Sequence, residues 1–173
     1  MLKMICGIFA CVILIGCASS PDVRRADLHE QGVAFDVGLV LEQFHFAADQ
    51  GLFDMYFGLM KDDVVFLGTD ESERWGKAEF MEYARDPFSD GHGWTYKPRD
   101  RSVILSDDEQ IAWVDEVLDH DRYGVLRGTA VLELIGEDWK IAQYNLTMLV
   151  PNEKMGEVVE VIRSPSVESS GND

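Results

Sequence analysis

The stretch "DWKIAQYNLTML", residues 138–149, has the composition of a β-strand that is buried on one face. Successive side chains of a strand point to opposite faces. One face of this strand is therefore predicted to carry Trp139, Ile141, Gln143, Asn145 and Thr147. Buried polar side chains need hydrogen-bond partners, water or a ligand, because leaving them unsatisfied is costly. The pattern thus predicts a polar pocket lined by Gln143 and Asn145.

Helices are predicted in the first half of the domain. Apolar residues at helical spacing follow Asp36, a suitable N-cap, and Gly51 marks the predicted end of this first helix. A shorter helix is predicted over residues 52–60. A third is predicted over residues 77–85, ending before Pro87 because proline interrupts helical hydrogen bonding.

Strand-like alternation replaces helical spacing in the second half of the chain. One apolar strand is predicted at residues 64–68, and four more at about 94–105, 110–118, 122–135 and 138–150. The connections between the last four are too short for parallel crossovers, so these strands should form an antiparallel meander. The order of elements predicts one α+β domain in which about three helices cover one face of a curved antiparallel sheet.

The N-terminal stretch "MLKMICGIFACVILIGC", residues 1–17, is typical of a signal peptide. Lys3 precedes an apolar run that is too short to span a bilayer, which takes about 20 residues. The ending "LIGC" resembles the lipobox of bacterial lipoproteins, in which the cysteine is lipidated after cleavage. Residues 1–16 are therefore predicted to be removed and Cys17 to carry the lipid. The expected location is the cell envelope, on the periplasmic side of the outer membrane in a Gram-negative host.

Polar segments flank the predicted domain, which is assigned to residues 36–152. Residues 17–35 are predicted to be a lipidated cysteine and its tether, because the segment up to about residue 33 has no clear apolar period. In the C-terminal tail, residues 153–173, the piece "GEVVEVIR" is expected to form a short strand or a turn of helix. The final "SPSVESSGND" is expected to be disordered.

Acidic residues dominate the chain, with 32 Asp and Glu against 15 Lys and Arg and a net charge of −17. An acidic surface repels phosphate, so no nucleic-acid partner is expected. Attachment to a membrane should likewise depend on acyl chains rather than on charge. The three cysteines all lie within the first 17 residues. If Cys17 is lipidated, the domain therefore has no thiol for a disulfide, a zinc site or a nucleophile.

Aromatic side chains supply candidates for a ligand pocket, since one or two of the four tryptophans could stack on a flat ligand while the others fill the core. The predicted ligand-binding set comprises Tyr56, Trp75, Trp94, Trp113, Arg127, Gln143 and Asn145. The four histidines show no metal-ligand spacing, and the chain has no glycine-rich phosphate loop, so neither a metal nor a cofactor is expected.

Two carboxylates, Asp115 and Glu116, fall in the middle of a predicted strand. Neighbouring strand residues face opposite sides, so the two cannot act as a catalytic pair. With an even-numbered hairpin loop at residues 119–122, Glu116 would share a face with Arg127. Asp115 would then lie on the other face with Trp113, although a one-residue slip reverses the assignment. Arg127 could bind a ligand carboxylate or phosphate, or it could neutralise Glu116.

Five stretches resemble the SnoaL-like branch of the nuclear transport factor 2-like superfamily. They are "FLGTDESERWGKAEFMEYA" (66–84), "GWTYKPRDRSV" (93–103), "AWVDEVL" (112–118), "RYGVLRGTAVL" (122–132) and "WKIAQYNLTMLVPN" (139–152). The resemblance implies a conical pocket between a curved sheet and its helices, with dimerisation through the convex face of the sheet. The superfamily includes enzymes, ligand binders and assembly domains, so the fold alone does not select a function.

Many relatives carry the pattern W-x-x-x-H-x-H-x-S on the last strand. This chain has Gln143 and Asn145 at the two histidine positions. Neutral amides keep the capacity for hydrogen bonding but do not titrate near neutral pH, which disfavours acid–base catalysis at these positions. The opposite face of the strand is predicted to form a subunit interface through Tyr144, Leu146 and Met148.

Three functions are compatible with the sequence. The first is a lipid-anchored domain that binds a small organic ligand without converting it. The second is a cofactor-independent isomerase, cyclase or hydrolase. By resemblance to ketosteroid isomerase, Asp115 would be its general base, and Arg127 or Tyr123 would stabilise charge. If the domain is not an enzyme, Asp115 is a structural carboxylate that is hydrogen-bonded or ion-paired. The third is a dimeric assembly module with a vestigial pocket. The missing histidines disfavour the second, and the amides and tryptophans favour the first, so we expect a ligand-binding homodimer.

Overall fold

The structure is a computed structural model that describes residues 21–164. Its helices are α1 (Pro21–Asp49), α2 (Phe53–Gly58), α3 (Lys77–Ser89) and α4 (Met155–Arg163), and a 3-10 turn at Asn152–Lys154 precedes α4. Its strands are β1 (Met60–Leu67), β2 (Arg74–Gly76), β3 (Lys97–Leu105), β4 (Ile111–His120), β5 (Gly124–Ile135) and β6 (Asp138–Met148).

The two chain ends carry predictions that the structure does not reach. The predicted signal peptide, its cleavage site and Cys17 lie outside the described residues, as does the predicted disordered end beyond Ser164. Within residues 21–164, no helix is both long and apolar enough to cross a membrane. The segment "GEVVEVIR" lies within α4, so the helical alternative is confirmed there.

The six strands form one curved sheet in the order β2-β1-β6-β5-β4-β3. The successive pairs β3–β4, β4–β5 and β5–β6 are antiparallel, which confirms the predicted meander and the α+β class. Strand β1 pairs with β6 in parallel, so the sheet as a whole is mixed. The short edge strand β2 falls at the end of the predicted loop "TDESER" and extends over "RWG"; the sequence pattern did not indicate it.

Helix α1 begins much earlier than predicted. It starts at Pro21 rather than after Asp36, so the segment predicted to be a tether is helical from Pro21 onward. Its role as a tether stays a prediction. Proline fits the first turn of a helix because its fixed φ is helical and no intrahelical N–H bond is needed there. Residues 28–32 are exposed. This part of α1 therefore has no buried face, and its sequence shows no apolar residues at helical spacing. The predicted end at Gly51 is confirmed by its φ of +61°.

Helix α3 continues past its predicted end. Pro87 lies inside the helix, two residues before its end, where only a single helical hydrogen bond is lost. Phe88 follows directly and is 5% exposed. Its ring packs against Tyr56 at 5.3 Å and Trp94 at 5.1 Å between centroids. We attribute the extra turn to this burial, which outweighs the missing bond.

Aromatic rings fill the space between the helices and the sheet. Phe44 of α1 stacks on Tyr56 of α2 with ring centroids 4.4 Å apart. Phe66 of β1 stacks on Phe80 of α3 at 3.9 Å. Tyr144 of β6 lies between the two pairs, 4.9 Å from Phe44 and 5.7 Å from Phe66. The centre of the cone is therefore a packed core, and any ligand must bind nearer to its edges.

Candidate functional site

In strand β6, the residues that point toward the helices change from odd-numbered to even-numbered positions halfway along the strand. On β5, the neighbours Leu132 and Val131 pair with Ile141 and Gln143, so Ala142 is the extra residue of a β-bulge. Trp139 and Ile141 are buried before the bulge, and Tyr144 and Leu146 are buried after it. A bulge adds one residue without a partner, which shifts the period-two alternation by one.

The bulge overturns the predicted lining of the pocket. Gln143 is exposed and Asn145 half-buried, and both lie on the face of the sheet that the helices leave uncovered, hereafter the open face. The prediction that they share the face of Trp139 is wrong. The predicted interface residues Tyr144 and Leu146 instead point toward the helices, and so does Met148.

The β4–β5 hairpin also differs from its prediction. His120 pairs with Gly124, which leaves a three-residue loop at 121–123 instead of an even-numbered one. Glu116 consequently lies opposite Gly128, and Arg127 pairs with Val117 on the open face. The predicted shared face of Glu116 and Arg127 is therefore wrong.

Asp115 shares the face of Trp113, as predicted, but this is the open face and not the interior of the cone. Asp115 is exposed, and Trp113 is 47% exposed. The apolar surroundings on which a role as general base depended are absent from this position. The buried carboxylate of the pair is Glu116, which is 1% exposed.

Glu116 is the centre of a buried polar network with His45, Arg101 and Tyr144. Its Oε2 accepts bonds from Arg101 Nε at 2.9 Å and Nη2 at 2.8 Å. Its Oε1 accepts a bond from the Tyr144 hydroxyl at 2.9 Å and lies 2.6 Å from His45 Nε2. The Nη1 of Arg101 also bonds the Gly38 carbonyl at 3.1 Å. The network thus connects α1 to β3, β4 and β6.

The buried network shifts the protonation of its members. Burial opposes ionisation of Glu116, but His45 and Arg101 together outweigh burial and hold the pKa of that carboxyl below its ordinary value. Burial, reinforced by the Glu116 carboxylate, raises the pKa of Tyr144 well above its ordinary value. Glu116 is therefore ionised and Tyr144 is a neutral hydrogen-bond donor at neutral pH.

A glycine makes room for the buried network. A Cβ at Gly128 would overlap the Tyr144 hydroxyl and lie 3.1 Å from Glu116 Cγ. Neither Glu116 nor Tyr144 lines the two large cavities described below. A carboxylate that is buried and fully bonded within the protein stabilises the fold rather than acting on a ligand.

A separate aromatic cleft lies at one edge of the cone and has a volume of about 530 Å³. Trp75 and Tyr83 contribute one stacked pair, with centroids 4.7 Å apart. His120 and Tyr123 contribute a second, at 4.6 Å. The cleft is lined by Phe66, Gly68, Thr69, Glu73, Trp75, Phe80, Tyr83, Gly93, Trp94, Thr95, Tyr96, His120, Asp121, Arg122, Tyr123, Leu146 and Met148.

Two polar rings of the aromatic cleft are constrained by their surroundings. His120 Nδ1 accepts bonds from the backbone N–H groups of Arg122 and Tyr123, both at 3.1 Å, so the ring proton is on Nε2. Burial raises the pKa of Tyr96 to about 12, which keeps its hydroxyl neutral at neutral pH. The cleft therefore presents hydrogen-bond donors among its aromatic surfaces.

The predicted ligand-binding residues are divided among different surroundings. Trp75 and Trp94 line the aromatic cleft, as does Tyr123, which was proposed only for the enzyme alternative. Tyr56 is fully buried in the core beneath Trp94 and lines neither cavity. Trp113, Arg127, Gln143 and Asn145 lie on the open face.

A second cavity, about 580 Å³ in volume, lies between α1 and the turns that precede β4 and β6. His29 of α1 and Glu109 of the first turn are 2.8 Å apart at its edge. Its walls are mainly polar or aliphatic, with Trp139 as the one large aromatic side chain. Among residues 21–164, no three His, Cys, Asp or Glu side chains are grouped so as to hold a metal ion.

The curved sheet with its covering helices has the nuclear transport factor 2-like fold. A protein of unknown function with this fold from Pseudomonas putida KT2440 has a TM-score of 0.60 and 11% identity, covering 72% of this chain and 92% of its own. A family member from Streptomyces avermitilis, provisionally named a dehydratase, has a TM-score of 0.59 and 14% identity, covering 76% and 100%. At these identities the similarity establishes the fold alone.

Residues 37–151 match the SnoaL-like domain family, and the chain belongs to that family. The resemblance inferred from the sequence is thereby confirmed. A comparison with curated proteins found no match.

Proposed function

We propose that the domain binds a flat organic molecule in the aromatic cleft and does not convert it. The observation that carries this proposal is the convergence of aromatic rings from β1, β2, α3, the α3–β3 connection and the β4–β5 hairpin on one cleft of about 530 Å³. That volume lies within the range of about 300–1,000 Å³ typical of small-molecule sites. Aromatic walls bind flat molecules by stacking and by burying apolar area.

The titratable groups support binding rather than catalysis. Asp115 is exposed on the open face, away from both cavities, so the isomerase, cyclase or hydrolase alternative loses its base. Glu116 is enclosed and fully bonded. His120 Nδ1 is occupied by two backbone donors, so the ring cannot accept a substrate proton there while those bonds hold.

The test is a thermal melting screen of the protein against soluble bicyclic and tricyclic aromatic compounds. A compound present at about 100 times its dissociation constant stabilises the fold by about 2.7 kcal/mol. For a domain of this size that is a shift in Tm of about 8 °C. At least one compound should give a shift of this order, saturating with concentration.

A matched pair of variants locates the binding. Met148→Trp adds a ring to a cleft residue that is 47% exposed, so it should fill the cleft and abolish the shift. Ile135→Trp adds the same ring at a position that is 50% exposed and lines neither cavity, so it should leave the shift intact. A shift that survives Met148→Trp would contradict the proposed site, and a screen without any hit would contradict binding.

A second candidate function is assembly, and exposed apolar residues on the open face favour it. Ile104 and Trp113 are a cross-strand pair, 60% and 47% exposed. We propose that they form the centre of a homodimer interface. Light scattering should give the mass of a dimer for the native domain and of a monomer for Trp113→Glu. Ile162→Glu, on the exposed surface of α4, should leave the dimer intact. A native monomer at all concentrations would contradict the proposal.

We also propose that the protein is anchored in the cell envelope through a lipid on Cys17, on the strength of the sequence "LIGC". Cells that express the full chain should incorporate labelled palmitate into it, and Cys17→Ser should abolish the label. Label retained by the variant would contradict lipidation at this residue.

A further inference from the structure

We infer that the ligand of the aromatic cleft is an organic cation whose positive charge lies beside Glu73. The inference rests on the proposed binding function and adds the chemical class of the ligand. It depends on three observations. An ionisable carboxylate lies at the wall of the cleft without a cationic partner, aromatic faces surround it, and the nearby cations Lys97 and Arg122 contact other groups.

Glu73 is held at the wall of the cleft. Its side chain is half-buried and folds over Gly68, where an added Cβ would overlap the carboxylate. Its Oε2 accepts a bond from the Asp70 backbone N–H at 3.1 Å. Within residues 21–164, Glu73 forms no ion pair and its Oε1 accepts no hydrogen bond. A half-buried carboxylate in this state gains most from a positively charged partner.

The surrounding rings favour the same charge. Aromatic faces carry negative potential and attract cations, by about 0.5–2 kcal/mol for each well-placed ring. Trp75, Tyr83 and Trp94 line the cleft together with Glu73. Burial raises the pKa of Tyr83, and the nearby charge of Glu73 raises it further, as expected for a carboxylate close to this ring. An organic cation would be bound by both the rings and the carboxylate.

No cation within residues 21–164 forms an ion pair with Glu73. Lys97 Nζ pairs with Asp121, another cleft residue, at 3.0 Å. Arg122 also lines the cleft, but it is exposed and lies over the Tyr123 ring, 5.3 Å from its centroid. Glu73 therefore lacks a direct cationic partner, in a chain whose net charge of −17 attracts cations at long range.

The test compares three flat bicyclic probes of similar size by isothermal titration calorimetry at low salt. The probes are cationic N-methylquinolinium, neutral 1-methyl-2-quinolone and anionic 2-naphthoate. We expect N-methylquinolinium to bind about fivefold more tightly than the quinolone, since a partly exposed charge pair and a cation–π contact are each modest. Added salt should reduce this preference.

Matched variants separate the inference from the function on which it rests. Glu73→Gln keeps the shape of the side chain and should remove most of the preference for the cation, with little change in quinolone affinity. Glu71→Gln, an exposed residue of the same loop outside the cleft lining, should keep it. Equal binding of cation and quinolone, tightest binding of naphthoate, or a preference that survives Glu73→Gln would overturn the cation inference while leaving cleft binding established. If none of the probes and no compound of the melting screen binds, both proposals fail.

Discussion

The substitution Glu116→Gln tests whether the buried network holds α1 onto the sheet. Glutamine has the shape of glutamate but no charge, and in either orientation its amide N–H group would face donors that now bond a carboxylate oxygen, either those of Arg101 or that of Tyr144. Arg101, 15% exposed, would lose its buried anionic partner and keep Glu42 as its charged partner, together with the Gly38 carbonyl. The expected result is a large loss of stability without a change in fold.

The magnitude follows from the bonds that are lost. Breaking a buried ion pair by removing one partner costs about 3–5 kcal/mol. Arg101 Nη1 keeps its contact with Glu42 Oε1 at 2.7 Å, which compensates part of the lost charge pairing. The compensation is only partial because Glu42 is 59% exposed. We therefore expect the lower end of that range, about 3 kcal/mol, which is a decrease in Tm of about 9 °C for a domain of this size.

Urea unfolding, followed by tryptophan fluorescence and by circular dichroism, measures the free energy of unfolding in water. The control is Asp115→Asn, the same chemical change at the adjacent residue, whose side chain is exposed on the open face. It should cost less than about 0.5 kcal/mol. A Glu116→Gln cost below about 1 kcal/mol, or one equal to that of the control, would refute the assignment of a stabilising role to the buried network.

Three further predictions concern the same region. Folding lowers the pKa of Glu116 below its ordinary value of 4.5. The contribution of the ionised carboxylate to stability is therefore fully present above pH 4.5 and is lost as pH falls through the folded value. The free energies of unfolding of the native domain and of Glu116→Gln, measured in urea, should thus differ less at about pH 3.5 than at about pH 7. Gly128→Ala should cost about 1–3 kcal/mol in the same assay, because the new Cβ overlaps the Tyr144 hydroxyl, whereas Gly58→Ala, with open space around its Cβ, should be neutral or stabilising. Tyr144→Phe removes a donor to a buried carboxylate and should lower Tm by about 3–6 °C in calorimetry; an unchanged Tm would contradict that bond.

Local chemistry was sufficient to predict the fold and the order of its main elements, though not β2. Gly51 ends α1 because it adopts a positive φ and lies against the Gly91 backbone, where any Cβ would collide. The acidic turns before β4, β5 and β6 separate the strands of the meander at the predicted places. Turn chemistry and alternation are local properties, and a sequence records them directly.

The faces of the strands were less predictable, because they depend on single residues. The bulge at Ala142 and the three-residue hairpin at 121–123 each shift the alternation by one, and nothing in the local composition requires either. The prediction for the second half of β6 was inverted for this reason.

The buried network was missed because its members come from four separate elements. His45 follows Leu41 by four residues, so it lies on the buried face of α1, and this spacing was the available signal. Its partnership with Glu116 depends on tertiary packing, which periodicity does not encode. The lining of the aromatic cleft was predicted in part, since Trp75 and Trp94 of the predicted ligand-binding set both line it.

The parallel pairing of β1 with β6 makes completion of the sheet depend on two segments far apart in the sequence. Met60 leaves the ribosome long before its partner Ile141, so β1 emerges with only the short β2 beside it. A strand edge left unpaired in this way is prone to pair with other chains. Closing so long a loop also slows folding. The sheet therefore cannot close before β6 is present, and β1 is the strand most exposed to pairing with other chains until then.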